Sequence, residues 1–188
     1  MYEGIDTVVL HDELAFHDQL PVAWQECATT AFDSFTLTGL DESNIALLHA
    51  CVSADEQPVR DKHEELLPLA NELARLDYKL NLVLQLLGSL VPKAEPTARC
   101  EVRFNTLGAS WHEQGITPKP GASGILRIQL RSALPEVLCF ACEVTAVSGS
   151  EVSVRYLQLS ERCAELIQRL CFLRHRKDVV DARKSRVL

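Results

Sequence analysis

Few groupings in this 188-residue chain have residue types suited to chemistry, and each fails on spacing. Cys139 and Cys142 form a C-x-x-C inside a stretch that alternates like a β-strand. Residues three apart in a strand face opposite sides, so neither a shared metal ion nor an easy disulfide follows. No second close pair of ligands completes a zinc site. His11, His17, His49, His63, His112 and His175 are dispersed, without metal-ligand spacing. The chain has no phosphate-binding glycine loop, no G-x-S-x-G elbow and no dinucleotide fingerprint. It therefore reads as non-enzymatic, with no metal and no cofactor. Arg174, His175, Arg176, Lys177, Arg183, Lys184 and Arg186 make a basic end that could meet phosphate. Without interleaved aromatic residues, and in a chain of net charge −7, that end reads as a solvated helix terminus or an oligomer contact rather than a nucleic-acid site.

Apolar residues make up 47% of the chain and charged residues 24%, the balance of a globular domain. No run approaches the roughly 20 apolar residues of a membrane span, and the acidic N-terminus is not a signal peptide. Seven scattered cysteines, an odd number, suit a reducing compartment, so a cytoplasmic protein is expected. Charge is segregated: residues 1–67 carry a net −12, residues 68–154 balance, and residues 155–188 carry a net +5. An acidic front and a basic end can pair within one assembly or meet separate partners.

What must position these residues is dominated by one stretch. Leu66, Leu69, Leu73, Leu76, Leu80, Val83, Leu87 and Leu90 repeat at strict 3-4 spacing. That is a coiled-coil seam, narrower than the stripe of a helix packed on its own domain. Leu84, Leu86 and Val91 add apolar residues at the flanking positions and widen the seam beyond two strands, toward three or four, or toward a barrel docked against the last turns. Pro68 places the start, or a kink, of the helix in that region.

Before the seam, Thr7–Leu10 and Leu20–Trp24 read as strands, with Pro21 confining the second to an edge or its first residues. Ile45, Leu48 and Val52 make a short amphipathic helix from Asp41 to Val52, with Asp41 as its cap. After Pro92 and Pro96 the period switches to two. Cys100, Val102 and Phe104 alternate with charged residues, as do Leu126, Ile128 and Leu130. Val137–Val147 and Glu151–Leu159 read as a hairpin about Ser148-Gly149-Ser150. Ser160 caps a last helix whose apolar face is Cys163, Leu166, Ile167, Leu170 and Leu173. The fold class is α+β, a small antiparallel barrel with helices.

The barrel strands, the last helix with Ala164–Arg169 and Arg174–Arg176, and the segment Leu76–Leu87 together resemble the PilZ family, in particular its atypical tetrameric branch. The resemblance covers most of residues 15–186. It implies a six-stranded antiparallel barrel, an inserted long heptad helix that builds a parallel four-stranded bundle, and a place in bacterial cyclic-di-GMP signalling. PilZ receptors hold that ligand with R-x-x-x-R and [D/N]-x-S-x-x-G, using guanidinium forks for phosphate and guanine. Here the second motif falls on Asn105–Ser110, with Leu107 in place of the serine and Ser110 in place of the glycine. Arg99–Arg103 and Arg127–Arg131 carry the letters of the first motif, at positions that differ from the family's loop.

The resulting organisation is one PilZ-like domain over 1–188. Residues 1–54 hold N-terminal strands and a short helix, 55–91 the heptad oligomerisation helix, 97–159 the barrel strands and 160–186 the C-terminal helix with its basic tail. The resemblance implies a signalling scaffold in motility or virulence, a homo-tetramer with a protein partner, degenerate for direct ligand binding. Two alternatives stay open. One is a true cyclic-di-GMP receptor using Arg99, Arg103, Asn105 and Ser110. The other, more remote, is nucleic-acid binding through the basic tail.

Overall fold

The computed structural model describes residues 9–55, 73, 76, 79–80, 99–131 and 136–185. Eight strands are present among them: β1 (Val9–Leu10), β2 (Glu13–Leu14), β3 (Phe16–Glu26), β4 (Arg99–Phe104), β5 (Gly108–His112), β6 (Ser123–Ile128), β7 (Leu138–Ser148) and β8 (Glu151–Tyr156). Two long helices accompany them, α1 (Ser34–Asp55) and α2 (Glu161–Ser185). β1 and β2 form a small hairpin whose two turn residues, His11 and Asp12, have φ of 52° and 63°. Positive φ at both turn positions gives the twist that suits a two-residue hairpin.

The other six strands close into a barrel of order β3-β4-β5-β8-β7-β6, antiparallel at every pairing. Closure depends on β3. From Phe16 to Pro21 it pairs with β4, and from Val22 to Glu26 with β6. Pro21, expected at an edge or a strand start, lies in mid-strand at the change of neighbour. It lacks an N–H, and its carbonyl accepts the last bond from β6, from the Gln129 N–H at 3.1 Å. β7 carries a bulge between Val144 and Ala146, which bends it around the barrel.

Alternate residues fill the interior. Phe16, Leu20, Val22, Val102, Phe104, Trp111, Leu126, Ile128, Leu138, Phe140, Val152 and Val154 are buried there, with Phe16 stacked on Phe104 at 4.9 Å between ring centroids. Leu47, Leu48, Cys51 and Val52 of α1 and Cys163, Ile167, Leu170 and Cys171 of α2 join the same core. Burial pushes the thiols of Cys163 and Cys171 up, to about 12 and about 11, so both stay protonated and behave as small apolar groups. The last helix is capped as expected, with the Cys163 N–H donating to Ser160 Oγ at 3.1 Å.

The first helix begins earlier than its periodicity suggests. Its cap is Asp33, whose Oδ1 accepts the Thr36 N–H at 2.8 Å. Thr36, by its hydroxyl and its N–H, holds the Asp33 carboxyl below its ordinary range. Asp41 is no cap: its Oδ1 takes the Ser160 N–H at 3.1 Å and ties α1 to the start of α2. One turn further on, Asn44 is buried and reads the backbone of β7. Its Nδ2 donates to the Cys139 carbonyl and its Oδ1 accepts the Cys139 N–H, both at 2.8 Å. Cys139 lies before the residues of β7 that pair with β8, so the carboxamide stands where a neighbouring strand would otherwise be.

Replacing Asn44 with Leu leaves both part-buried Cys139 backbone groups without these partners, at about 1–3 kcal/mol for each. A loss of about 3 kcal/mol in urea unfolding is expected, and a loss below about 1 kcal/mol would refute the strand-mimic role of this side chain.

Candidate functional site: the outer barrel wall

β4 alternates exposed and buried positions, so Arg99, Glu101 and Arg103 share its outer side. Cross-strand register then sets the site. Arg103 stands opposite Ser110, and Ser110 opposite Ser153; Gly108 stands opposite Arg155, and Arg155 opposite Glu143. Two arginines thus flank a floor made of Gly108 and Ser110. Each already holds a carboxylate: Arg103 binds Glu101 at 2.7 Å, and Arg155 binds Glu143 at 2.8 Å. His17 Nε2 lies 3.2 Å from the same Glu101 oxygen. The hydrogen bond from Arg103, aided by the charges of Arg103, His17 and His112, holds the Glu101 carboxyl below its ordinary range. An anion approaching this wall competes with Glu101 and Glu143 for the guanidinium forks. Such exposed pairs are individually worth only about 0–1 kcal/mol, so exchange is not forbidden.

Asn105 serves the turn that follows β4. Its Oδ1 accepts the Leu107 N–H at 2.9 Å and the Gly108 N–H at 3.3 Å, and its Nδ2 donates to the Leu10 carbonyl at 2.6 Å. The residue is buried and its carboxamide pins the β1–β2 hairpin to the barrel. Ser110 is buried as well, between Arg103 and Ser153. Arg99, four residues before Arg103, is about 13 Å away along the strand, with Glu101 between them on the same side. Arg99 instead lines a groove of about 360 Å³ together with Asp18, Pro21, Gln129 and Arg131. The structure therefore divides the R-x-x-x-R letters between two places. It joins Arg99 to Arg131, an end of the other such run, because β4 and β6 both flank β3. Arg155, Glu143 and Asp18 escaped sequence reasoning, since only register brings them to these positions.

Cys139 and Cys142 lie three apart in β7, and Cys142 is the more deeply buried of the two. No cluster of three or more metal-ligating side chains is found among the described residues. Of the heptad positions, Leu73, Leu76 and Leu80 are helical and exposed, while Leu66, Leu69, Val83, Leu87 and Leu90 lie outside the described residues. No described helix is long and apolar enough to cross a membrane.

The family of atypical PilZ domains, described as cyclic di-GMP receptors, matches residues 48–184. The chain belongs to this family. Among solved structures it is similar to a pathogenic protein from Xanthomonas campestris, a tetrameric PilZ domain self-assembled via a helical bundle. The two share 25% identity with a TM-score of 0.67, over 94% of this chain and 93% of the other. No curated protein matches the chain in sequence. The six-stranded barrel expected from the family resemblance is the barrel observed. At the β4–β5 corner, which holds the Asn105–Ser110 segment, Gly108 is required for packing. A Cβ on Gly108 would fall inside van der Waals contact with the Val154 carbonyl oxygen. The Gly108 carbonyl in turn accepts the Tyr156 hydroxyl at 3.1 Å.

Gly108→Ala should force β5 and β8 apart and cost about 1–3 kcal/mol, the usual range for overpacking. It is expected to lower the thermal midpoint by several degrees; an unchanged midpoint would show that the corner tolerates a side chain.

Proposed function

We propose that this PilZ protein is a non-enzymatic, cytoplasmic scaffold of the cyclic-di-GMP pathway, which assembles as a homo-tetramer through its heptad helix and presents its barrels to a protein partner. The observation that carries this reading is the stripe Leu73, Leu76 and Leu80, 58%, 48% and 62% exposed on a helix. These are consecutive a, d and a positions of the seam, and large aliphatic groups so placed in water ask for a partner helix. Burying them is worth about 1.5–3 kcal/mol each per chain. The likeness to a tetrameric PilZ domain built on a helical bundle supports four as the number. The pairing of Arg103 and Arg155 with carboxylates, and the commitment of Asn105 to its turn, support a degenerate ligand site.

A second reading is direct ligand binding on the outer wall, through Arg103 with Ser110 and Asn105, and Arg99 further off. What favours it is the register that sets Arg103 opposite Ser110 on the outer side of the barrel.

The double substitution Leu73→Asp and Leu80→Asp should reduce the sedimenting mass from a multiple of 21.0 kDa to a single chain. A variant that sediments like the parent removes the assembly reading. Calorimetric titration with cyclic-di-GMP, using GTP as control, should give no saturable heat. Saturable heat that disappears in Arg103→Ala would instead establish the receptor reading at this wall.

A further inference from the structure

The groove beside Arg99 opens where β6 leaves β3, at the other end of β4 from the β4–β5 corner. The last link between these strands is the Gln129 N–H bonded to the Pro21 carbonyl. Peptide groups alternate along a strand, so Gln19 turns its N–H and C=O to the same side as Pro21, toward the edge that β6 has vacated. The Gln19 N–H meets no strand there among the described residues. It donates to Asp18 Oδ1, on the preceding residue, at 2.8 Å. A local bond of this kind satisfies one donor and leaves the edge open to pairing.

Glu101, the residue opposite Gln19, is held by Arg103 at 2.7 Å. Arg99 and Arg131 line the groove, and Asp18 is the one acidic residue among its described lining residues. Asp18 Oδ2 is bound to Arg174 of α2 at 3.1 Å, and that guanidinium lies over the Phe16 ring, 5.6 Å from its centre. The carboxylate is thus matched by a third arginine from outside the groove. Arg99 makes no side-chain ion pair with any described residue. Its backbone carbonyl, which accepts from Gln114 Nε2 at 3.1 Å, fixes the strand end that carries it.

We propose that this groove takes an extended, acidic segment of a partner protein as an added strand against Gln19, with a carboxylate of the segment meeting Arg99. Main-chain bonds to the β3 edge supply affinity in such strand addition, and alternate side chains supply selectivity. Side chains of the added strand that face outward, as Gln19 and Pro21 do, reach the side of Arg99 and Arg131; those between face Leu20 and Leu130. Pro21, with no N–H to offer, ends the site. The segment is therefore short and carries acidic residues at alternate positions. The proposal rests on the scaffold reading and names the surface and the chemistry of its partner.

The test uses the full-length chain and a dye-labelled, end-blocked probe, Thr-Val-Glu-Val-Glu-Val-Thr, followed by fluorescence anisotropy and by hydrogen exchange over Phe16–Glu26. Four further probes accompany it: a Lys-for-Glu version, two versions N-methylated along one strand edge or the other, and inorganic phosphate. The acidic peptide should bind saturably and slow exchange in Phe16–Glu26. One N-methylated version should bind about tenfold more weakly than the other, and Arg99→Glu should weaken binding about tenfold while melting cooperatively. No saturable binding, equal binding by both N-methylated peptides, or indifference to Arg99→Glu would each overturn the proposal. Displacement by equimolar inorganic phosphate would mark a simple anion site and overturn it too. So would full exchange protection of the β3 edge before peptide is added, since a second copy would then occupy it. Failure here leaves the sedimentation result untouched, and dissociation of the Leu73/Leu80 variant leaves the groove intact, because it lies within one chain.

Discussion

A strand in a barrel must satisfy peptide groups on two edges, and β3 does so with two different neighbours in turn. Everything else in the fold follows from that handover at Pro21. Pairing first with β4 and then with β6 closes the sheet and fixes which side chains point inward. It also leaves β6 free to diverge beyond Ile128, and a groove lined by Arg99 and Arg131 lies where it does so. A proline at that point costs little, because the donor it lacks would fall at the end of a ladder.

Where strands run out, side chains continue the pairing. Asn44 meets the backbone of Cys139, Asp41 meets Ser160, and Asn105 meets Leu10 and its own turn. Each is a short polar side chain that anchors a helix or hairpin to the barrel by main-chain recognition. The apolar contacts of α1 and α2 with the core supply most of the attraction, while these bonds set position. The Asn105 case bears on function directly, since the same residue would otherwise be the first polar contact of the family's ligand motif.

The barrel was legible where strands are half-buried: Cys100, Val102 and Phe104, or Leu126 and Ile128, alternate in the sequence as they do in the wall. β5 was not, because four of its five residues are buried and no alternation survives. The start of α1 was hidden for a related reason. Ser34–Thr38 carries no clear apolar face, and the eye moves to Asp41, whose carboxylate serves a tertiary contact 119 residues away. The site was the least legible part. Arg99 and Arg103 look paired in the sequence but are separated by the strand rise, whereas Arg99 and Arg131 meet only because both neighbours of β3 present their ends together. Leu73, Leu76 and Leu80, read as seam positions, are exposed on a helix.

The closing role of β3 has a kinetic side. Phe16 meets Phe104 and Val22 meets Ile128, contacts spanning roughly a hundred residues of chain, which places the fold among those with slow, non-local assembly. At synthesis rates of about 5–20 residues per second, β3 leaves the ribosome on the order of ten seconds before its second neighbour exists. For that interval its Phe16, Leu20, Val22 and Trp24 face solvent on an unpaired strand. Such an unpaired apolar strand is open to pairing with other chains until its neighbours arrive.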